Sequence, residues 1–437
     1  MSDSEEKVEP PDLDAQFAVD TRGGPRLITF GCRLNIYESA VIKDHAKNAG
    51  LNNAIIINTC AVTNEAVLKA RQAIRRARRE NPEARIIVTG CAAQINPEGF
   101  GAMPEVDQVI GNDLKLKAEG WSNLPVSERI QVNDIMSVRE TASHMISGFD
   151  NHARAFVQVQ NGCDHRCTFC IIPYARGNSR SVAIGEIVGQ VQKLVEGGYQ
   201  EIVLTGVDIT SYGPDLPGQP TLGQMMRRLL ALVPEVKRLR LSSLDPVEID
   251  DDLWRLIGDE PRLMPHLHLS MQAGDDMVLK RMKRRHLRKD LFEVCEKARN
   301  LRPDIVFGAD IIAGFPTETD EMFENTLRAA RDCGLTFLHI FPYSSRQGTP
   351  AARMPQVNGQ VRKERAKKLR ELGDALLNKH LSGLVGKTVP VLMERNNKGR
   401  TEYFSEVAID RDIPAGKMIM VDMRSVEGGL LKGRVVA

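Results

Sequence analysis

The sequence has no long hydrophobic run. Its apolar stretches, such as residues 54–57, have the length of a buried strand and fall far short of the roughly 20 residues that cross a membrane. The chain opens on polar and acidic residues, so we expect no secretory signal. The formal net charge is only +2. We therefore expect a cytoplasmic protein that has no membrane partner.

Cysteine is sparse for a protein held together by disulfides, with eight in 437 residues. In a chain of this size and class, we expect the thiols to stay reduced and to bind metal instead. Three of them, Cys163, Cys167 and Cys170, form one run with C-x3-C-x2-C spacing, and Phe169 precedes the last. Thiolates crowded this closely favour iron–sulfur clusters or zinc.

A fourth ligand is missing near this run, because the next cysteine is Cys295. Structural zinc usually needs four protein ligands. Three thiolates suit a four-iron cluster better, because they hold three irons and leave the fourth open to bind a ligand and pass it an electron. The spacing therefore favours an iron–sulfur cluster, and a structural zinc knuckle or loose thiols are the alternative.

An earlier part of the chain repeats a strand–loop–helix rhythm, which indicates a parallel α/β sheet. Cys32, Cys60 and Cys91 each follow one of its predicted strands, which are residues 26–30, 54–57 and 85–89. The carboxyl ends of parallel strands share one edge of a sheet, where ligands gather. We therefore expect the three thiols to meet as a second metal–sulfur site. The alternative is that each is a small buried core residue.

The rhythm resumes on a larger scale after the cysteine run. Predicted strands alternate with helices at residues 155–160, 201–205, 238–241, 266–270, 305–312 and 337–341. Six such units predict a partial (β/α)6 barrel, whose chemistry would lie at the carboxyl ends of the strands. Because the cysteine run follows the first strand, we expect it on that face.

After residue 383 the pattern changes to short alternating runs separated by Gly and Asn, which predicts a small antiparallel β-barrel. Such barrels often bind RNA, and a structural cap is the alternative. We predict an α/β protein in four parts: a disordered tail (1–24), a parallel α/β sandwich (25–145), the partial barrel (146–381) and the small barrel (382–437).

Three basic clusters, at residues 71–79, 280–289 and 362–370, could bind a phosphate backbone. Each could equally be a solvated helix face.

The cysteine patterns resemble a known family. Cys163, Cys167 and Cys170 are similar to the radical S-adenosylmethionine (SAM) triplet, and the sequences around Cys32, Cys60 and Cys91 resemble the amino-terminal domain of the methylthiotransferases. The last segment resembles the RNA-binding TRAM domain. Within the family, the branch that acts on N6-threonylcarbamoyladenosine at tRNA position 37 is the most similar. The resemblance to that branch rests on Gly-Cys-Arg-Leu-Asn (31–35), Glu-Ser (38–39), Asn-Thr-Cys-Ala-Val-Thr-Asn (58–64) and Arg-Gln-Ala-Ile-Arg-Arg (71–76).

The resemblance implies two [4Fe-4S] clusters, one on Cys32, Cys60 and Cys91 and one on the cysteine run. It implies reductive cleavage of SAM to a 5′-deoxyadenosyl radical, hydrogen abstraction at C2 of the adenine, and insertion of a methylthio group there. The sulfur would come from the first cluster, so we expect both open irons to face one cavity.

Six further residues could support SAM: Phe169 beside its adenine, and Gly206, Asp208, Ser243, Gln272 and Asp310 near its amino group or ribose. Each could instead shape a turn or cap a strand. The partners implied are a tRNA anticodon arm, held by the basic clusters and the small barrel, and a reducing electron donor protein. No DNA partner is expected. Cys295 and Cys333 are interpreted as structural core residues.

Three rival functions stay open. The same clusters could serve a methylthiotransferase that acts on an aspartate of a ribosomal protein or on isopentenyladenosine in tRNA. A rival of another class is a non-catalytic RNA-binding protein with structural metal.

Overall fold

The computed structural model describes residues 17–19, 24–122, 128–139, 148 and 153–436. The chain divides into two compact units, Met1–Ile135 and Met136–Ala437. Of the predicted disordered tail, only residues 17–19 and 24 belong to the described part of the chain. Within the described residues, the model contains no helix with both the length and the apolarity that a membrane crossing requires.

The first unit is an α/β sheet with helices, built in the order that the sequence predicts. Its elements are β1 (Phe17–Val19), β2 (Arg26–Thr29), α1 (Arg33–Asn48), β3 (Ala54–Thr59), α2 (Asn64–Glu80), β4 (Arg85–Gly90), α3 (Cys91–Ile95), α4 (Pro97–Gly101), β5 (Gln108–Ile110), α5 (Glu119–Ser122) and β6 (Ile130–Gln131). The strands lie side by side in numerical order. Those from β2 to β6 are parallel.

Two features of this sheet go beyond the sequence-based prediction. Strand β1, inside the predicted tail, pairs antiparallel with β2. Strands β5 and β6 extend the sheet on the other side; β6 lies within residues 112–150, which show no strong periodicity and predict a linker with one short element. Both strands are very short, so too few residues alternate to give a readable pattern.

The second unit begins with six parallel strands, a short antiparallel pair and their helices. Its elements are β7 (Arg154–Gln158), β8 (Gln160–Asn161), α6 (Ile172–Arg176), β9 (Arg180–Ser181), α7 (Ile184–Glu196), β10 (Glu201–Thr205), α8 (Leu222–Leu232), β11 (Arg238–Leu241), α9 (Asp251–Asp259), β12 (His266–Gln272), α10 (Asp276–Arg281), α11 (Arg288–Leu301), β13 (Val306–Ala313), α12 (Asp320–Asp332), β14 (Phe337–Pro342) and α13 (Gly359–Ser382).

Six of these strands form two three-stranded parallel sheets, β7-β10-β11 and β12-β13-β14, and β8 pairs antiparallel with β9. Isolated bridges between Leu239 and Leu263 and between Leu244 and Leu269 join the β11 edge to the β12 edge. The order β7-β10-β11-β12-β13-β14 is the predicted partial barrel, and the α/β architecture is confirmed. The cysteine run follows β7, so it lies at the carboxyl ends of these strands.

The chain ends in a closed five-stranded barrel. Its strands are β15 (Thr388–Met393), β16 (Lys398–Thr401), β17 (Glu406–Ile409), β18 (Met418–Glu427) and β19 (Leu430–Val435), in the order β15-β16-β17-β19-β18. One pair, β17–β19, is parallel, whereas the alternating runs predict antiparallel pairs throughout. The exception arises because the hairpin β18–β19 folds back beside β17 and closes the ring.

The small barrel lies against the amino-terminal ends of the larger one. Phe404, between β16 and β17, stacks on His266 with ring centroids 5.2 Å apart. Arg240 pairs with Glu201 at 2.8 Å and donates to the carbonyl oxygens of Thr401 and Glu402. Arg154 and Arg240 also lie over the Phe404 ring. These contacts close the floor of the larger barrel and leave its carboxyl end for chemistry.

Candidate metal centres

Cys32, Cys60 and Cys91 follow β2, β3 and β4, which are neighbours in the sheet. Asn58 is paired with both Thr29 and Thr89, and Thr59 with Gly90, so the three strands end almost level. The structure therefore brings the three predicted cysteines to one sheet edge. Cys60 and Cys91 are buried, whereas Cys32 is exposed at the N-cap of α1.

Glycines let the chain come close to these thiols. Gly31 has φ +94°, and a Cβ there would lie 2.8 Å from the Sγ of Cys60. Gly90 has φ +95°, and its Cβ would lie 2.4 Å from the backbone nitrogen of Thr59. A side chain at either position would therefore be both strained and too close. Three soft thiols around such a cradle fit an iron–sulfur cluster.

Two polar side chains tie the three cysteine loops together. The Nδ2 of Asn35 donates to the carbonyl oxygens of Phe30 and Thr59, at 2.7 and 3.2 Å. The hydroxyl of Thr59 donates to the carbonyl oxygen of Thr89 at 2.6 Å. Because Phe30, Thr59 and Thr89 lie just before the cysteine segments, these bonds fix the relative positions of all three.

A buried ion pair supports the same edge. Lys115 lies 2.6 Å from the carboxylate of Glu38, and both side chains are fully buried. The Nζ of Lys115 also lies 3.4 Å from the Oδ1 of Asn58. Breaking a buried pair by removing one partner leaves an uncompensated charge. The pair therefore holds Asn58, and through it the end of β3, in place.

In the second unit, Cys163, Cys167 and Cys170 lie in the loop between β8 and α6, and all are partly buried. Gly162 opens this loop with φ +74°, and a Cβ there would lie 1.9 Å from the carbonyl oxygen of Asn178. The backbone of Thr168 is anchored by a bond to the carbonyl oxygen of Met282 at 3.0 Å. Burial raises the pKa of the Cys170 thiol to about 11, and burial likewise raises that of Cys163, to which the nearby Asp208 carboxylate adds. Metal binding would release these protons.

Arg284 provides a positive charge beside this loop. Its Nη1 lies 3.7 Å from the Sγ of Cys167, and its Nη2 donates to the Asp245 carboxylate at 2.9 Å and to the Ser270 carbonyl oxygen at 3.0 Å. The guanidinium is almost completely buried. A buried cation held this way stabilises a neighbouring thiolate. The environment of Cys167 therefore suits a thiolate that binds a cluster better than it suits a neutral thiol.

Asp208 lies on the other side of the cysteine run. Its Oδ2 is 3.9 Å from the Sγ of Cys163 and 3.5 Å from the Nδ1 of His165. Burial raises the pKa of Asp208, and the neighbouring Glu248 carboxylate raises it further. Burial alone would also raise the pKa of Glu248, but hydrogen bonds from His165 and Arg285 hold it at about 2. The site therefore presents carboxylates at the cysteine run, where a cationic group would be stabilised.

The other predicted SAM-binding residues are spread along the barrel rim. A Cβ on Gly206 would lie 2.7 Å from the carbonyl oxygen of Gln160, whose side-chain oxygen accepts from the backbone nitrogens of Val207 and Asp208. Phe169 packs edge-on against Phe315 at 6.4 Å. Ser243 follows β11, and Gln272 ends β12 with φ +62°.

Asp310 lies inside β13. Its Oδ1 is 3.0 Å from the Nε2 of His268 and 3.4 Å from the Nδ1 of His339. The sequence patterns do not reveal this cluster, the contact of Arg284 with Cys167 or the Lys115–Glu38 pair. The alternation of His266 and His268 on one strand, which places both rings on one face, is the signal that could have found it.

The basic clusters contain both buried and exposed cations. Arg78, Arg281 and Arg365 donate to backbone or carboxylate oxygens of their own unit. Exposed cations in the same clusters include Arg75, Arg79, Lys280, Lys283, Lys289, Lys363, Lys368 and Arg370. Only the second group is placed to meet a phosphate backbone.

Comparison with protein families matches both units. A model of the radical SAM superfamily matches residues 157–330, and that of an uncharacterized protein family, UPF0004, matches residues 26–111. The first match covers the larger barrel from within β7 into α12, and the second covers β2 to β5 and the three cysteines Cys32, Cys60 and Cys91.

Several curated proteins are similar along nearly the whole chain. The threonylcarbamoyladenosine tRNA methylthiotransferase MtaB of Rickettsia prowazekii is 56% identical over 93% of this chain and 96% of its own. The protein of the same name in Bacillus subtilis is 37% identical over 86% and 85%. A tRNA-2-methylthio-N(6)-dimethylallyladenosine synthase of Erythrobacter litoralis is 31% identical over 94% and 97%.

Among solved structures, the radical SAM methyltransferase TsrM of Kitasatospora setae, with cobalamin and a [4Fe-4S] cluster bound, is similar in fold. The TM-score is 0.51 and the identity 16%, over 72% of this chain and 68% of that one. This likeness concerns the fold alone.

Proposed function

We propose that this chain, which belongs to the radical SAM tRNA methylthiotransferase family, inserts a methylthio group at C2 of N6-threonylcarbamoyladenosine at tRNA position 37. The observation that carries the proposal is the gathering of Cys32, Cys60 and Cys91 at one sheet edge, in addition to the cysteine run of the barrel. One cluster site would serve any radical SAM enzyme, whereas the second supplies a place for the sulfur. The names of the relatives support the substrate.

The enzyme uses SAM and two [4Fe-4S] clusters, which together supply a radical able to activate the adenine C–H bond and the sulfur that replaces the hydrogen. We assign one cluster to Cys32, Cys60 and Cys91 and the other to Cys163, Cys167 and Cys170. Asn35 and Thr59 position the first set. Arg284 offsets the negative charge of the second.

We assign SAM to the rim of the barrel around the cysteine run. Asp208 would accept a hydrogen bond from the cationic amino group, since its carboxylate lies against Cys163. Gly206 leaves the backbone open there, and Phe169 offers an apolar ring. Ser243 and Gln272 are further candidates for binding the cofactor, whereas Asp310 is engaged by His268 and His339.

We assign the tRNA anticodon arm to the exposed cations and to the small barrel. The target base must leave its stack to reach the site, as it does in other base-modifying enzymes. A reducing protein of the cytoplasm would supply the electron.

The direct test is an anaerobic assay on reconstituted protein with anticodon stem-loops that carry threonylcarbamoyladenosine, dimethylallyladenosine or adenosine at position 37. We expect the 2-methylthio product with the first substrate and about eight irons per chain, from two four-iron clusters. If product formed only with dimethylallyladenosine, the chain would belong to the branch of the family that acts on that nucleoside. Colourless protein that binds one zinc and cleaves no SAM would leave only an RNA-binding protein.

A further inference from the structure

The inner face of the larger barrel carries a polar cluster of His268, Asp310 and His339, on three neighbouring strands. Asp310 Oδ1 faces both imidazoles, and the two rings are 4.7 Å apart. A Cβ on Gly308 would lie only 2.5 Å from His268 Nδ1, so the glycine makes room for that ring. These contacts describe a built arrangement and not three unrelated side chains.

The orientation of the cluster follows from the floor of the barrel. His266 and Arg154 both contact the ring of Phe404, which marks the inward face of β12 and β7. Alternate residues of a strand share a face. His268 is therefore inward on β12, and Gln158 is inward on β7.

Unpaired polar atoms lie on the same inner face. Gln158 is only 3% exposed to solvent. Its side-chain Nε2 and Oε1 atoms are buried and have no hydrogen-bond partner among the described residues. The hydroxyl of Ser242, two residues beyond the inward Arg240, is also buried and unpaired in the described part of the chain. Buried polar groups are nearly always paired, so these atoms are available to bind a polar ligand or ordered water.

The cluster is open on one side and lies close to the cysteine run. Asp310 and His339 keep 23% and 32% of their side-chain surface accessible. His268 is two residues, or about 7 Å along the strand, from Ser270, whose carbonyl oxygen holds the arginine that contacts Cys167. A ligand here would therefore be near the radical chemistry.

The cluster offers hydrogen-bonding atoms that suit a group with hydroxyl or amide functions. Burial would raise the pKa of Asp310, but His268 and His339 hold it well below its ordinary range, so the carboxylate stays ionised. Each imidazole can donate one N–H to Asp310, which leaves the Nε2 of His339 for a ligand.

We propose that His268, Asp310 and His339, with Gln158 and Ser242, form the subsite that receives the polar threonylcarbamoyl substituent on N6 of the target adenine. The inference rests on the proposed function. The substituent carries one carboxylate, one hydroxyl and a ureido group, which match the donors and acceptors of this surface. An apolar dimethylallyl group would leave the buried polar atoms unpaired, and sites of this kind reject such analogues strongly.

The test compares His339→Phe and His339→Gln with the wild type and with His266→Gln, a matched control on the barrel floor. Affinity is measured for anticodon stem-loops bearing threonylcarbamoyladenosine, dimethylallyladenosine or adenosine. We expect His339→Phe to weaken binding of the first at least tenfold and to leave the adenosine form unchanged. His339→Gln should recover part of the loss, and His266→Gln should not discriminate among the three.

Iron content, thermal melting and SAM cleavage without RNA are measured on the same proteins, and we expect them to be unchanged in His339→Phe. Loss of SAM cleavage without RNA would assign the cluster to the cofactor and overturn the proposal, as would equal weakening for all three RNAs or no weakening. If wild-type protein bound the threonylcarbamoyl form preferentially but formed no methylthio product, the proposed function would fail and the subsite would stand. If the methylthio product formed but the wild-type protein showed no such preference in binding, the proposed function would stand and the subsite would fail.

Discussion

The cysteines of the sheet edge and those of the barrel should have separable roles. Because Cys60 and Cys167 belong to different sets, Cys60→Ala should lower iron from about eight to about four per chain and keep SAM cleavage, but abolish methylthio insertion. Cys167→Ala should abolish both activities. Iron analysis and detection of 5′-deoxyadenosine measure these outcomes.

The matched control is Cys295→Ala, since Cys295 and Cys333 are buried core residues, each 1% exposed. This variant should keep the full iron content and both activities. If Cys60→Ala retained full iron and insertion, the assignment of a second cluster to the sheet edge would be wrong.

His380 should make stability depend on pH. Burial, with a smaller effect of Lys387, lowers its pKa to about 4, whereas an unfolded histidine has a pKa near 6.5. Between pH ~6.5 and ~4 the unfolded chain therefore binds a proton that the folded chain does not, and stability falls as the pH is lowered through this window.

Thermal melting of His380→Gln measures this effect, because glutamine keeps a polar group near the Ser405 hydroxyl, which lies 2.9 Å from the histidine Nε2. As the pH is lowered from 6.5 to 4, the melting temperature of the variant should fall less than that of the wild type. Parallel curves would exclude His380 as the source.

Strand ends and their loops depend on the bonds between them. Asn35→Ala removes the two bonds that join the Phe30 and Thr59 segments and leaves buried acceptors unpaired, at a cost of about 1–3 kcal/mol each. We expect reconstituted Asn35→Ala to lose iron from the sheet site while SAM cleavage continues.

Asn53→Ala is the control at the opposite end of the sheet, where the Asn53 side chain donates to the Glu83 carbonyl oxygen at an exposed position. It should keep full iron. Full iron in Asn35→Ala as well would show that the network does not position the cysteines.

Sequence patterns predict helices and strands when the alternation of apolar and polar residues is long and regular. Contacts between distant strands have no such pattern. The strands before Cys32, Cys60 and Cys91 are apolar runs that end at glycine or threonine, so their shared edge follows from parallel pairing. Asp310 and its two histidines come from strands separated by long helices, so only the register of β12, β13 and β14 brings them together. The parallel β17–β19 pair is likewise a property of closure and not of either strand alone.

Whole-molecule charge is nearly balanced, so RNA binding must depend on local groups of cations. Arg75 and Arg79 are exposed on one helix. Removing one cation that binds a phosphate should reduce the salt slope of affinity by about one. We expect Arg75→Ala and Arg79→Ala to weaken tRNA binding and flatten its salt dependence, as measured by gel shift at several salt concentrations.

Arg255→Ala is the matched control, because its side chain is 72% exposed and lies outside the basic clusters. It removes one positive charge from the chain, as each test variant does. Equal effects in all three variants would mean that net charge, and not the basic cluster, governs binding.

The expectation that the two iron–sulfur sites open onto one cavity stays a prediction.

The most direct measurement is the nucleoside profile of tRNA, by mass spectrometry, from cells with and without this protein. We expect 2-methylthio-N6-threonylcarbamoyladenosine to disappear on deletion, its unthiolated precursor to accumulate, and wild-type protein but not Cys60→Ala to restore the product. An unchanged profile, or loss of the dimethylallyl product instead, would contradict it.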